Sequence, residues 1–588
     1  MKTEWDFSEI KEDFPKLRKE AEKNYDSFKE KWESDKTYLE DPKKLKELLD
    51  EIEEIEKNYS GGGTEYFYYS LNQEKDRNNP EIRKNFLSVD NFAREQSNKI
   101  LFFSVHLAKV PEKKQREFLE SPLLKKYKPF LRDFFDNSKH ILSEKEEKIL
   151  SLKANSSFEM WVQMLKSLLS KELRKSIDED GKEKEFVYPE LLTLMRSQKR
   201  EVRIKAKDAF EDILEKYLDV AGFELNAVLE TAKINDELRG YKRADESRIQ
   251  GDLIDFDFVD SLLEAVKETF SLPKDFYSFK SKLMNQDKIG YFERSASLKK
   301  IQKDFEAEKA IEIVKKVFSN LDKEFVDIFE KMLNSGKIDF FPKKGKNGGA
   351  FCAHYKKKDP VYVLLNHTGE LRDVAVIAHE MGHAINAHLM KKEDDFYYEV
   401  PMSTAEVAST FMEDFVYKEI EKELSDEDRF YLKIMKFEDD ISTIHRQIAL
   451  YLFETEIHKT YRKEGYLSKE KIGEIFVKNM SLYLGPSFDM QKAELWWIYW
   501  EHIREYFYVY SYASGLLISK TMQKKFKENP EFIEKVKTFL STGTSKKPRE
   551  IFKEMGIEIN KEFFLEGLSE LQKDFEEIKA LAKKLGKV

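Results

Sequence analysis

Two of the chain's ten histidines bracket the run His379-Glu380-Met381-Gly382-His383. On a helix, residues i and i+4 lie on one face, one turn apart. Two imidazoles so placed can reach a single zinc ion, and Glu380 can act as general base toward water activated there. That is the equipment for metal-assisted hydrolysis. The competing use is two histidines packed or capping inside a helical core. The flanks, Val374-Ala375-Val376-Ile377-Ala378 and Ala384-Ile385, suit a buried helix under either use.

Zinc in a hydrolytic site takes three protein ligands and leaves a fourth place for water. A third histidine after a glycine turn, as in metzincins, needs Gly at 386 and His at 389. Those positions hold Asn386 and Leu389, and His388 is one residue out of register. A glutamate 19 residues after the second histidine, as in many aminopeptidases, falls on Met402. Glu406 remains, in Ser403-Thr404-Ala405-Glu406-Val407-Ala408-Ser409-Thr410. Pro401 stops the preceding loop and Ser403 can cap a new helix, so Ser403-x-x-Glu406 also reads as a capping box. On pattern alone, ligand and cap are equal readings of Glu406. Ala405, Ala408 and Ser409 are small enough for close helix packing. Glu413, two turns further on, suits an acceptor for the free N–H of a ligand histidine, or a solvated acid beside Asp414. Asp373 has a weaker claim to the same role.

These residues need helices to hold them. From residue 6 to about 335 apolar residues recur at three and four, with Lys and Glu between, which predicts helix after helix. Breaks fall at Gly61–Gly63, Asp178–Gly181 and Leu272-Pro273. After Gly336 the texture changes. Ala350–Tyr355 and Val361–Asn366, split by a Lys-rich turn, predict a β-hairpin or small sheet, the one convincing β region. Helical text resumes near Leu371 and runs to the end. Asn347-Gly348-Gly349, just before the hairpin, is by itself an ordinary turn.

Composition agrees. The 588 residues include only 22 glycines and 14 prolines, about half the usual share of such breakers. Hydrophobic residues at 40% can build a large core, which excludes wholesale disorder. A net charge of −9 over this length offers no basic field for nucleic acid or an anionic membrane. Cys352 is the only cysteine, so neither an internal disulfide nor a Cys-based zinc site can form. The start, Met1-Lys2-Thr3-Glu4-Trp5-Asp6-Phe7, has no apolar h-region, and no run of about 18 apolar residues exists. A soluble cytoplasmic protein is expected.

Several segments together resemble the oligoendopeptidase F branch of the thimet-oligopeptidase-like zinc peptidases. They are Leu364-Leu365-Asn366-x-Thr368-Gly369-x-Leu371-Arg372-Asp373-Val374, Ala378-His379-Glu380-Met381-Gly382-His383-Ala384, Ala405-Glu406-Val407-Ala408-Ser409-Thr410 and Phe507-Tyr508-Val509-Tyr510-x-Tyr512-Ala513-x-Gly515-Leu516. The specific motifs lie between about 345 and 515. The resemblance implies a mainly α fold of the gluzincin, neurolysin-like kind: a large two-lobed helical body around a deep substrate channel, with one small β-sheet near the active site. It implies an N-terminal helical domain over residues 1–190 and a zinc metallopeptidase domain over 191–588. It makes His379, His383 and Glu406 the ligands of one Zn²⁺. It also gives the hairpin a purpose, since an edge strand can pair with an extended peptide backbone, with Gly348 and Gly349 allowing close approach.

Between 496 and 512 stand Trp496, Trp497, Tyr499, Trp500, Tyr506, Phe507, Tyr508, Tyr510 and Tyr512. Most of such a run belongs in a core. The resemblance places His502 and some of these tyrosines at positions that donate to the substrate carbonyl and its oxyanion. His502 is the firmest, Tyr508 and Tyr512 come next, and Tyr510 is the alternative. The expectation is a cytoplasmic zinc endopeptidase for short unfolded peptides, with no nucleic-acid or membrane partner, as a monomer or small homo-oligomer. The alternatives are a helical zinc carboxypeptidase, which should carry a basic residue for the free C-terminus, and a catalytically silent helical binding protein.

Overall fold

The structure, a computed structural model, describes residues 2–299, 301 and 305–587. Helices dominate, as the 3.6-residue periodicity predicts, and the sheets are small. Among the described residues no helix is long and apolar enough to cross a membrane. The chain gathers into two compact units. One joins Met1–Ile149, Lys303–Ile420 and Met522–Ile557; the other joins Leu150–Gln302, Glu421–Thr521 and Glu558–Val588.

In the first unit the helix Leu371–Leu389 is buried on nearly every face, as expected for a helix apolar all round. Gly369, at φ 88°, turns the chain into it, a conformation only glycine adopts without strain. The Asp373 carboxylate accepts from the Thr368 N–H at 2.7 Å, the Thr368 hydroxyl at 2.9 Å and the Glu370 N–H at 3.1 Å. Asp373 therefore serves as a cap for this helix and not as an acceptor for a ligand histidine. The predicted β region is a three-stranded sheet. Tyr362–Leu364 is central, pairing parallel with Ile338–Asp339 and antiparallel with Phe351–Ala353, so Phe351–Ala353 is an edge. The turn before that edge is pinned by a buried cation. Lys346 Nζ bonds Asp339 Oδ1 at 2.7 Å, and the Phe341 and Leu365 carbonyls at 2.7 and 2.6 Å. Beneath the sheet, Trp5, Phe67 and Leu71 pack on Tyr362 and Leu364, and the Trp5 indole donates to the Val363 carbonyl at 2.8 Å.

The second unit is built on the helix Arg200–Arg239, about 60 Å long at 1.5 Å per residue. It also holds a β-hairpin, Leu173–Ile177 with Glu183–Val187, where the sequence reading expected only helices around a break. Its strands carry Arg174, Lys175, Glu183, Lys184 and Glu185, text that resembles a helix surface. Turn chemistry wins. Asp178 Oδ1 accepts the Asp180 and Lys182 N–H groups at 3.0 and 2.9 Å, Gly181 sits at φ 80°, and Lys175–Glu183 pair at 3.2 Å across the strands. A further parallel pairing, Ile289–Gly290 with Phe488–Asp489, is only two residues long.

This unit also buries two histidines completely. Burial holds His445 near pKa 3, and burial with the Arg462 charge does the same for His458. Both are neutral when folded and take up a proton below about pH 6.5 when unfolded. Their stabilising share is therefore full above that pH and falls as pH drops toward 3. By pH 5 the loss is about 2 kcal/mol each. Buried Glu438 and Glu454, raised by burial to about 7 and 8, drift the opposite way, so the readout is a difference. In urea unfolding at pH 8 and pH 5, the stability of wild type minus that of His458→Gln should shrink by about 2 kcal/mol. A pH-independent difference refutes the assignment.

Candidate active site

His379 and His383 leave one face of the helix Leu371–Leu389 with ring centroids 5.1 Å apart. The next helix, Ala405–Glu421, lies against that face at very short range. A Cβ on Gly382 would stand 2.6 Å from Ser409 Cα and 2.7 Å from the Ala408 carbonyl, so no larger residue fits there. That approach carries Glu406 to the histidines. Its Oε2 is 3.4 Å from His379 Nε2 and 3.7 Å from His383 Nε2. One donor atom from each of the three lies within 4.8 Å of the others, a group that could hold a metal ion. Ser409 Oγ donates to Glu406 Oε2 at 3.0 Å. Glu413, from the same helix, meets His379 Nδ1 at 2.9 Å, which leaves Nε2 aimed at Glu406.

The electrostatics of the group follow from this packing of acids against imidazoles. Burial would lower His379, but hydrogen bonds to Glu406 and Glu413 overcome it and raise its pKa well above the ordinary value. Burial takes His383 down to about 4, against the pull of Glu406. Glu406 is half-buried, and desolvation would raise it, yet the His379 bond and both imidazoles bring it to about 2. Glu380 is 7% exposed. Burial first, and the Glu406 and Glu413 charges after it, raise its pKa to about 7, against the His379 charge and the Cys352 backbone N–H.

A second group forms in the other unit. His502 sits in the short turn Glu501–Arg504. Arg504 anchors the turn from below by a buried pair with Glu224 at 2.9 Å, and by bonds to the Trp497 and Trp500 carbonyls. His502 Nδ1 is hydrogen-bonded to the Tyr508 hydroxyl. The rings of Tyr508 and Tyr512 lie 5.5 and 5.9 Å from His502, and 5.9 Å from each other. Burial, with the Arg446 charge, takes His502 down to about 4. Burial and the neighbouring Tyr512 hold Tyr508 protonated. At neutral pH the group is uncharged.

A family profile described as "Peptidase family M3" matches residues 193–569. The chain belongs to peptidase family M3. A second profile, "Oligopeptidase F", matches residues 106–171. An "Oligoendopeptidase F homolog" of Borreliella burgdorferi is 28% identical, with 97% of this chain and 94% of that protein covered. "Oligopeptidase PepF" of Bacillus subtilis is 24% identical, over 84% and 75%. The fold matches the crystal structure of oligoendopeptidase-F from Enterococcus faecium, with TM-score 0.74 at 17% identity, over 97% and 98% of the two chains. Membership makes the chain a metalloendopeptidase and accounts for its helical architecture.

Within this M3 chain, the other residues singled out from sequence separate cleanly. Tyr510 is fully buried and donates to Asp252 at 2.6 Å, away from the His502 group. Gly348 and Gly349 are exposed, and an added Cβ would meet nothing at 348 and only Asn347 Oδ1 at 3.5 Å at 349. His388 bonds its own helix at the Ala384 carbonyl. Sequence reasoning missed the supports of the second group. Tyr506 and Phe507 both sit at positive φ, 52° and 55°, which costs roughly 1–3 kcal/mol each and gathers at functional sites. Glu454 Oε1 accepts the Phe507 N–H at 3.0 Å. Arg248 donates to the Tyr506 and Glu505 carbonyls at 3.0 and 2.7 Å. Glu224, Arg248 and Glu454 are far away in sequence, and nothing in their local pattern signals this work.

Gly382 offers a test that spares every polar group of the first cluster. Gly382→Ala should force the two helices apart and weaken metal binding by about 10–100-fold, the scale set by loss of ligand orientation. Unchanged affinity in a competitive chelator titration would show that the contact is not what sets the ligand geometry.

Proposed function

We propose that this chain is a zinc endopeptidase that cuts short, unfolded oligopeptides at internal bonds in the cytoplasm. The observation that carries the reading is the spacing of the three donors. Atoms about 2.0–2.1 Å from a tetrahedral zinc stand roughly 3.4 Å apart, and Glu406 lies 3.4 and 3.7 Å from the two imidazole nitrogens. His379, His383 and Glu406 would hold one Zn²⁺, with Glu413 fixing the His379 ring. Zinc in such a site supplies a Lewis acid that makes water acidic and polarises a carbonyl.

The chain's own groups do the rest. Glu380, buried with a pKa near 7, accepts a proton from the attacking water and returns it to the leaving amine. The edge of Phe351–Ala353 binds the peptide backbone as an added strand, indifferent to side chains, with Gly348 and Gly349 on the exposed approach. His502, Tyr508 and Tyr512 supply neutral donors for the carbonyl oxygen as it becomes an oxyanion. The relatives' names, oligopeptidase and oligoendopeptidase, support short peptides as substrates.

The test uses a decapeptide blocked at both ends. Internal cuts seen by mass spectrometry, from protein carrying about one zinc per chain, are expected. Cleavage only after the C-terminal block is removed, and then one residue at a time, would make it a carboxypeptidase. A chain that binds no metal and cuts neither peptide would be a binding protein.

A further inference from the structure

His502 lines a cavity of about 440 Å³ within the second unit, inside the 300–1,000 Å³ range of small-ligand sites. Its walls are largely aromatic, with Trp496, Tyr499 and Trp500 among them, and its charged lining is Arg196, Arg294 and Arg446 against Glu501 alone. Arg294 is only 7% exposed. It bonds the Tyr291 carbonyl at 2.9 Å and the Tyr499 hydroxyl at 3.3 Å, and its guanidinium lies 4.7 Å from the Trp496 ring centre. Neither it nor Arg446 has a carboxylate within ion-pair distance among the described residues, and the Nε of each lacks a hydrogen-bond partner. Arg446 lies 5.5 Å over the Trp500 ring, at the end of a single π-helical turn, Ser442–Arg446. Such turns interrupt α-helices at functional sites more often than elsewhere. Arg196 stands exposed at the rim.

The acids nearby are committed elsewhere. Glu501, which lines the cavity, pairs with Lys166 at 2.8 Å. Glu438, buried near Arg196, is bound by Lys280. A guanidinium withdrawn from water without a counter-charge is costly, and its fork of donors fits a carboxylate in two-point fashion. Aromatic walls raise the value of that pairing by excluding water. We infer that this cavity is a subsite for a carboxylate carried by the peptide substrate, held by Arg294 and Arg446 beside His502. The inference rests on the proposed peptidase reading for the word substrate. The carboxylate could be the peptide's free C-terminus or an Asp or Glu side chain, and the test separates them.

Three probes suffice: N-acetyl-tetraalanine as the free acid, the same peptide as its amide, and N-acetyl-Ala-Glu-Ala-Ala amide. Binding to the intact protein is measured by calorimetry, with the fluorescence of Trp496 and Trp500 as a report from the cavity. The free acid should bind at least tenfold more tightly than its amide, and Arg446→Gln should bring that ratio below about threefold. If the Glu amide also binds tenfold above the Ala amide, and Arg446→Gln removes that gain too, the site takes side-chain carboxylates. Equal binding of all three, no binding of any, or a ratio untouched by Arg446→Gln overturns the inference. The comparison of peptides on unaltered protein guards against a misfolded variant. Cleavage of the doubly blocked decapeptide is scored separately. Cutting without carboxylate preference refutes the subsite alone, and carboxylate binding without cutting refutes the peptidase reading alone.

Discussion

Glu380→Gln should lower kcat/KM by about a thousandfold while leaving the metal content at that of wild type. The magnitude follows from the loss of general-base catalysis, worth 10²–10⁴. The specificity follows from where Glu380 stands. It lies on the helix between the two histidines but is not one of the three converging donors. Glutamine keeps the length and shape of the glutamate side chain, which is 7% exposed, so the packing around it is kept. What glutamine cannot do is take a proton. Glu406→Ala should behave differently, losing metal and activity together. Kinetics on an internally quenched peptide, with metal analysis of the same samples, decide the matter. Activity above a tenth of wild type in Glu380→Gln rules out the base assignment, and loss of metal there would make Glu380 a ligand.

The helix with its two histidines was legible because four residues make one turn, so spacing alone fixes a shared face. Glu406 was less so. Twenty-two residues of helix end, loop and new helix separate it from His383, and no periodicity spans them. The pattern allowed a cap equally well, and only the small residues around it hinted at a close neighbour. The physical reason for that closeness lay in Gly382, inside the motif itself, where any side chain would strike Ser409 and the Ala408 carbonyl. The aromatic run misled by density. Tyr510 and Tyr512 are two apart on the helix that begins at Tyr510, and a helix turns by about 200° over two residues. Tyr510 therefore points into the core at Asp252 while Tyr512 turns toward the His502 ring, and Tyr508, in the turn before the helix, meets His502 through its hydroxyl. The hairpin at Leu173–Val187 was hidden by its charge, and the Glu224–Arg504 pair by 280 residues of separation.

His502, Tyr508 and Tyr512 should fail together. His502→Phe and Tyr508→Phe should each lower kcat by about a hundred- to a thousandfold, the cost of removing one oxyanion donor, with KM little changed. The double variant should be only slightly worse than the poorer single one. The two groups are directly hydrogen-bonded, so removing either unmakes what the other needs, and residues acting as one unit are strongly non-additive. Tyr512→Phe should cost less, since its hydroxyl reaches His502 through Tyr508. The strained Tyr506–Phe507 turn makes this testable at a distance. Glu454→Leu removes the acceptor of the Phe507 N–H and leaves a buried donor unpaired, which costs about 1–3 kcal/mol in stability. If the strain exists to aim Tyr508 at His502, that variant should also lose kcat, while binding metal as wild type does. Full kcat in a destabilised but metal-loaded Glu454→Leu would reduce the turn to a structural detail. Additive losses in the His502 and Tyr508 pair would mean that the two work on separate steps.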